Sequence, residues 1–134
     1  MKLRAYFVVL SLVSIVLLSC VSTPSISSFS DFRSLQDINL WINGSISYDG
    51  IYKDVDTVQA PETTLSTREG SCFDMCKLFV YLAKESGWTV KIIPIQTKTG
   101  YHTIIDAGSS GYFDPTSGEW LGYRLKEGWI ITTW

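Results

Sequence analysis

The chain holds no apolar run of the about 20 residues that a membrane-spanning helix requires; its one candidate, residues 5–18, falls short. It has no surplus of positive charge either, with 11 Lys and Arg against 13 Asp and Glu. Without a basic face nothing neutralises a phosphate backbone, which excludes nucleic acid as a partner. Histidine occurs once, at position 102, and cysteine three times, at positions 20, 72 and 76. The spacing of these residues fits no common zinc module, and no acidic stretch forms a complete calcium loop. Internal repeats and coiled-coil heptads are absent, so the 134 residues make one domain and hardly two. Aromatic residues, by contrast, are plentiful at 13%, which helps a small domain build a core.

The N-terminus has three zones. Lys2 and Arg4 give a short positive region, residues 5–18 an apolar and small-residue run, and Leu17-Leu18-Ser19-Cys20 a close. That order marks an export signal, and the closing tetrapeptide resembles the lipobox of bacterial lipoproteins. The resemblance implies cleavage before Cys20 and lipidation of its thiol. The product would sit in the bacterial cell envelope, anchored to a membrane by the lipid and facing away from the cytoplasm. Loss of residues 1–19 leaves 115 residues, and loss of Lys2 and Arg4 leaves 9 basic against 13 acidic side chains. Residues 20–29 are Ser-rich and read as a flexible tether, with the folded domain over 30–134.

Two helices are predicted. The first spans 34–43, with Ser34 and Asp37 as a capping box, an apolar face of Leu35, Ile38, Trp41 and Ile42, and Asn43-Gly44 as its stop. The second has Ser71 as N-cap, Asp74 completing another capping box, an apolar stripe through Met75, Cys76, Phe79, Leu82 and Ala83, and Gly87 just past its end. Residues 47–67 read as irregular, because Pro61 and scattered acids oppose a central strand or a long helix. Extended runs follow at 89–95, 101–107, 111–114 and 129–133, with turns at Thr99-Gly100 and Gly108-Ser109-Ser110. Helices followed by hairpin-linked strands give an α+β fold with an antiparallel sheet.

A thiol becomes a good nucleophile when a helix N-terminus or an adjacent imidazole lowers its pKa. Cys72 is the first residue of the second helix, where unpaired N–H groups favour a thiolate and could also hold an oxyanion. If the hairpin turns about Ser109, position 102 lies opposite about position 116 and His102 has Asp114 as its diagonal neighbour on the same face. That suits a carboxylate holding one imidazole nitrogen while the other faces a thiolate. Each residue also has a plainer reading: Cys72 as a half-buried helix start, His102 as a packed strand residue, Asp114-Pro115 as the opening of a turn.

Three blocks carry a further resemblance. Gly70-Ser71-Cys72 at a helix start, Tyr101-His102-Thr103 in a strand, and Tyr112-Phe113-Asp114-Pro115-Thr116 at a strand end resemble, in that order, the blocks of the transglutaminase-like superfamily. Gln59-Ala60-Pro61-Glu62-Thr63 is similar to a segment of its bacterial members. The resemblance covers roughly residues 36–120. It implies a papain-like fold, with the nucleophile-bearing helix packed on an antiparallel sheet. It also implies Cys72 as nucleophile, His102 as general base, Asp114 as its orienter, and a protein or peptide substrate hydrolysed or transferred at an amide bond. No cofactor is implied, and the oligomeric state is left open. The chain departs from the family twice: Ser71 stands where many bacterial members have an acid, and Thr103-Ile104 where many have Ala or Val and then Trp. A non-catalytic binding lipoprotein on the same fold is therefore the alternative.

Several other features are candidates. Cys76 reads as a buried small hydrophobe, with a disulfide to Cys72 within reach but awkward inside one helix. Cys72, Cys76, His102 and Asp114 could together ligate zinc. Asp49, Asp54 and Asp56 could bind calcium. Gln59 could donate to an oxyanion. Trp120, Trp129 and Trp134 could form a binding platform, although plugging the core is the stronger expectation for them.

Overall fold

The computed structural model describes residues 32–134. The expected signal, the lipidated Cys20 and the tether lie outside the described residues.

Helix α1 (Leu35–Ser45) starts where expected: Ser34 Oγ accepts the Asp37 N–H at 3.1 Å, and Leu35, Ile38 and Ile42 are buried. It does not stop at Asn43-Gly44. The helix runs on because Ile46, its C-cap, buries its side chain and closes the last turn through its N–H to the Ile42 carbonyl at 2.9 Å. Burial outweighs the small helix penalty of one glycine.

The stretch expected to be irregular contains two short elements. Strand β1 (Ser47–Tyr48) pairs in parallel with β2 (Glu69–Gly70), and between them lies helix α2 (Pro61–Thr67). Pro61 occupies the first helical turn, where a missing N–H costs nothing. The same proline that argues against a strand interior is what opens this helix.

Helix α3 (Cys72–Glu85) has both predicted ends. Ser71 and Asp74 form the reciprocal capping box. At the other end Gly87 takes a positive φ of 89°, its N–H reaching the Lys84 carbonyl at 3.0 Å and that of Trp88 the Ala83 carbonyl at 2.8 Å. These two bonds are the Schellman arrangement that glycine permits.

The sheet is antiparallel, in the order β6-β5-β4-β3-β7. Its strands are β3 (Lys91–Thr97), β4 (Gly100–Asp106), β5 (Tyr112–Asp114), β6 (Glu119–Gly122) and β7 (Ile130–Ile131). β6 adds an edge strand to the predicted set. α3 packs on β4 and against α1 and α2. The core between these layers holds Ile38, Ile42, Met75, Leu78, Phe79, Leu82, Ile105 and Phe113, with the rings of Phe79 and Phe113 at 5.8 Å. The fold is α+β, with the Cys72 helix on the antiparallel sheet, as the sequence implied.

Candidate active site at the head of α3

Cys72 is the first residue of α3 and is 5% exposed. Its position depends on Asp74, which is fully buried. Asp74 Oδ2 accepts the Ser71 N–H at 2.7 Å and the Gln59 Nε2 at 3.0 Å, and Oδ1 accepts the Gln59 N–H at 2.6 Å. Lys53 Nζ binds the same carboxylate and also faces Asp49. One side chain thus caps the helix that carries Cys72 and fastens the 47–60 segment to it. Burial pushes the Asp74 pKa up, but the hydrogen bonds from Lys53, Gln59 and Ser71 outweigh it and hold the group below its ordinary 3.8.

Gly70 belongs to this packing. A Cβ there would lie 2.8 Å from the Asp74 Cβ, closer than carbon atoms tolerate. Gly70→Ala is expected to destabilise the domain by about 1–3 kcal/mol, the cost of overpacking a filled site. A urea titration measures it.

The first turn of α3 leaves N–H groups without helical partners. Ser71 satisfies those of Asp74, through Oγ, and Met75, through its carbonyl. Those of Cys72 and Phe73 have no such partner within the capping box.

His102 and Asp114 meet. β4 and β5 pair with Ile105 opposite Phe113 and Asp106 opposite Tyr112, the register that places position 102 against position 116. His102 Nε2 lies 3.0 Å from Asp114 Oδ2, and Asp114 Oδ1 accepts the Thr116 N–H at 3.0 Å. Asp114 engages Nε2 and leaves Nδ1 free of it, and His102 and Cys72 are close enough to shift each other's titration. Trp129 covers the imidazole edge-on at 5.9 Å.

The electrostatics follow from this contact. Burial lowers the His102 pKa, but Asp114 and Cys72 outweigh it and raise the value to about 9. Burial pushes the Cys72 thiol up, yet His102 and Thr103 bring it below its ordinary 9.0. Tyr48 keeps its proton more tightly than usual, through burial and the nearby Cys72, Asp49 and Asp114.

Two clefts flank the pair. One, of about 310 Å³, is lined by Cys72, Tyr48, Gly50, Thr99 and Gly100. The other, of about 300 Å³, is lined by His102, Thr103, Asp54, Pro94 and Trp134. Tyr52 and Tyr101 line both, with ring centroids 6.1 Å apart, and so stand between the two openings. A wider cavity, about 520 Å³, lies between Leu35, Trp88, Phe113 and Trp120, and none of Cys72, His102 and Asp114 lines it.

The remaining candidates are placed differently. Cys76 is fully buried and burial pushes its thiol well above 9.0; both Cys72 and Cys76 are free thiols, not a disulfide. Among the described residues no group of three or more His, Cys, Asp or Glu could hold a metal ion. The zinc expectation fails because Cys76 is sunk in the core. The calcium expectation fails because Asp49 faces Lys53 while Asp54 Oδ1 accepts the N–H groups of Asp56 and Thr57 in its own turn. Gln59 is no oxyanion donor: its amide binds Asp74 and the Glu69 carbonyl. The three tryptophans plug no core. Trp120 is 46% exposed, Trp129 lies on His102, and Trp134, 58% exposed, stacks on Phe73 at 4.6 Å. Aliphatic side chains of α1 and α3 already fill the interior, so the indoles cover its margins.

The sequence gives no sign of Lys53 or Tyr48, and it marks Thr103 only as a departure from the resembled family. Lys53 lies 21 residues before its partner, in a stretch with no periodic pattern, and nothing local signals it.

Residues 26–132 match the family model of the transglutaminase-like superfamily. The fold is similar to the crystal structure of a candidate cysteine protease from Cytophaga hutchinsonii, with a TM-score of 0.57 and 19% identity over 72% of this chain. This chain spans 34% of that protein's length. No protein of curated function matches the chain. The shared fold is papain-like.

Proposed function

Since this chain belongs to the transglutaminase-like superfamily, a family of cysteine hydrolases and acyltransferases, we propose that it is a thiol hydrolase or acyltransferase acting on peptide or amide bonds through Cys72, His102 and Asp114. We further propose that a lipid on Cys20 anchors it to a membrane of the bacterial envelope, where it meets external protein or peptide substrates. The observation that carries the catalytic reading is the His102–Asp114 contact at 3.0 Å, beside a Cys72 thiol whose pKa His102 helps to lower.

In this reading the Cys72 thiolate attacks the carbonyl carbon of the amide. The oxyanion that forms is held by the N–H groups of Cys72 and Phe73 at the start of the helix. As the C–N bond breaks, the His102 imidazolium gives its proton to the leaving amine, and a thioester remains on Cys72. Water or a second amine then attacks the thioester while His102 takes a proton from it. Water releases an acid and an amine releases a new amide; either way the sulfur leaves as thiolate beside a reprotonated imidazole. Asp114 holds the ring in place and stabilises its charged form. Thiolate and imidazolium coexist between the depressed thiol pKa and about 9, as values of the pair and not of either residue alone.

The test is the pH dependence of iodoacetamide alkylation in the chain carrying Cys20→Ser. Cys72 is expected to react well below the free-thiol pKa of about 8.5, and His102→Ala to push that reactivity back toward the ordinary range. If Cys72 titrates as an ordinary thiol, or is inert with or without His102, the catalytic reading fails and the fold serves binding.

A further inference from the structure

A buried anion needs more than one partner, and the thiolate proposed at Cys72 has a second one. Thr103 follows His102 on β4 and is 5% exposed. It shares a strand face with Ile105, a core residue, and so looks toward α3, whose first turns carry Cys72 and Cys76. Thr103 Oγ1 is buried with no hydrogen-bond partner among the described residues. A hydroxyl abandoned in this way is costly, and it is close enough to Cys72 and Cys76 to help lower both thiol pKa values.

The backbone at Thr103 points the same way. Pro94, opposite Thr103 across β3 and β4, gives its carbonyl to the Thr132 N–H at 3.0 Å. The polar edge of Pro94 therefore belongs to the β7 side, and by the alternation of an antiparallel ladder that of Thr103 belongs to the β5 side. There the ladder ends, since β5 stops at Asp114 and Pro115 follows. The Thr103 N–H at that ladder end is near enough to Cys72 to help lower its thiol pKa.

Resting on the catalytic reading above, we propose that Thr103 is a positioning residue for the Cys72 thiolate. Its hydroxyl and backbone N–H solvate the sulfur in a site closed to bulk water. A neutral thiol accepts hydrogen bonds weakly and an ionised one strongly, so the hydroxyl is satisfied only when Cys72 is charged. His102 supplies the opposite charge and Thr103 the solvation.

The experiment compares iodoacetamide rates at Cys72 across pH in the Cys20→Ser chain, with the adduct located by peptide mass. The variants are Thr103→Val, Thr103→Ser and His102→Ala. Thr103→Val removes only the hydroxyl at constant volume. It is expected to leave the urea midpoint unchanged or higher while lowering the rate at pH 6 about tenfold, one pKa unit of thiolate. Thr103→Ser is expected to keep the parent profile, and Thr103→Ala replaces the valine variant should that one fail to fold. A low-pH, His102-dependent thiolate that Thr103→Val leaves unmoved overturns the role of Thr103 and spares the catalytic reading. An equal loss in Thr103→Ser and Thr103→Val assigns the effect to packing and also overturns it. A parent Cys72 that titrates as an ordinary thiol removes both together.

Discussion

Asp114→Asn is expected to return the single histidine to ordinary behaviour. His102 titrates at about 9 because Asp114, and then Cys72, outweigh its burial. An amide in that place can still hold the ring but carries no charge to stabilise imidazolium. The pKa should fall back toward the ordinary 6.5, and with it the pairing that keeps Cys72 ionised. The chain has one histidine, so a single imidazole resonance reports the change by NMR. Turnover of a peptide or amide substrate is expected to drop by about 10²-fold or more, the contribution of a positioned acid–base group being about 10²–10⁴. The direction in pH is fixed by the raised value. Imidazolium is fully present below 6.5 in both proteins, the parent keeps it up to about 9, and the variant loses it earlier. A resonance that still titrates near 9 in Asp114→Asn shows that the carboxylate is not what sustains the charge.

The second large effect is on stability. Asp74→Ala strips acceptors from the N–H groups of Ser71 and Gln59 and from the Gln59 amide, and it leaves the half-buried Lys53 ammonium without its nearest partner. Removing one side of a buried ion pair costs about 3–5 kcal/mol, a large share of the about 5–15 kcal/mol that a domain possesses. Urea unfolding of Asp74→Ala should show that loss. The parent should also weaken in acid. The Asp74 pKa is depressed below 3.8, so its contribution is full above that value and is lost as pH falls through the folded one. Asp74→Asn should flatten that acid limb. A loss below about 1 kcal/mol in Asp74→Ala, within the range of an ordinary hydrogen bond, contradicts the role given to the network.

The parts legible in the sequence are those with a local signature. The ends of α3 were visible because Ser71, Asp74 and Gly87 each perform a task that few other residues can. The His102–Asp114 contact was visible because strand pairing counts residues, and a turn near Ser109 sets the count. What escaped prediction depends on partners far apart in the chain. β1 and β2 are two residues each, too short to carry an alternation. The short helix α2 hid behind its own opening proline. Asp74 announced its cap, but not its hold on Lys53 and Gln59, because no spacing rule connects a helix cap to a preceding loop. The tryptophans were read by size alone. Size favours the core, but the aliphatic residues of two helices had already filled it.

The tyrosine pair between the two clefts has a consequence for shape. Cys72 exposes 5% of its surface, and Tyr52 and Tyr101 stand between the openings on either side. If Cys72 is the reactive group proposed above, the site is expected to act as a sieve. A small haloacetamide can reach the sulfur, whereas a folded protein can do so only by presenting a narrow, extended length of chain. Reagents of equal reactivity but growing girth should therefore separate in rate at Cys72, and the separation should narrow when either tyrosine is cut back to alanine.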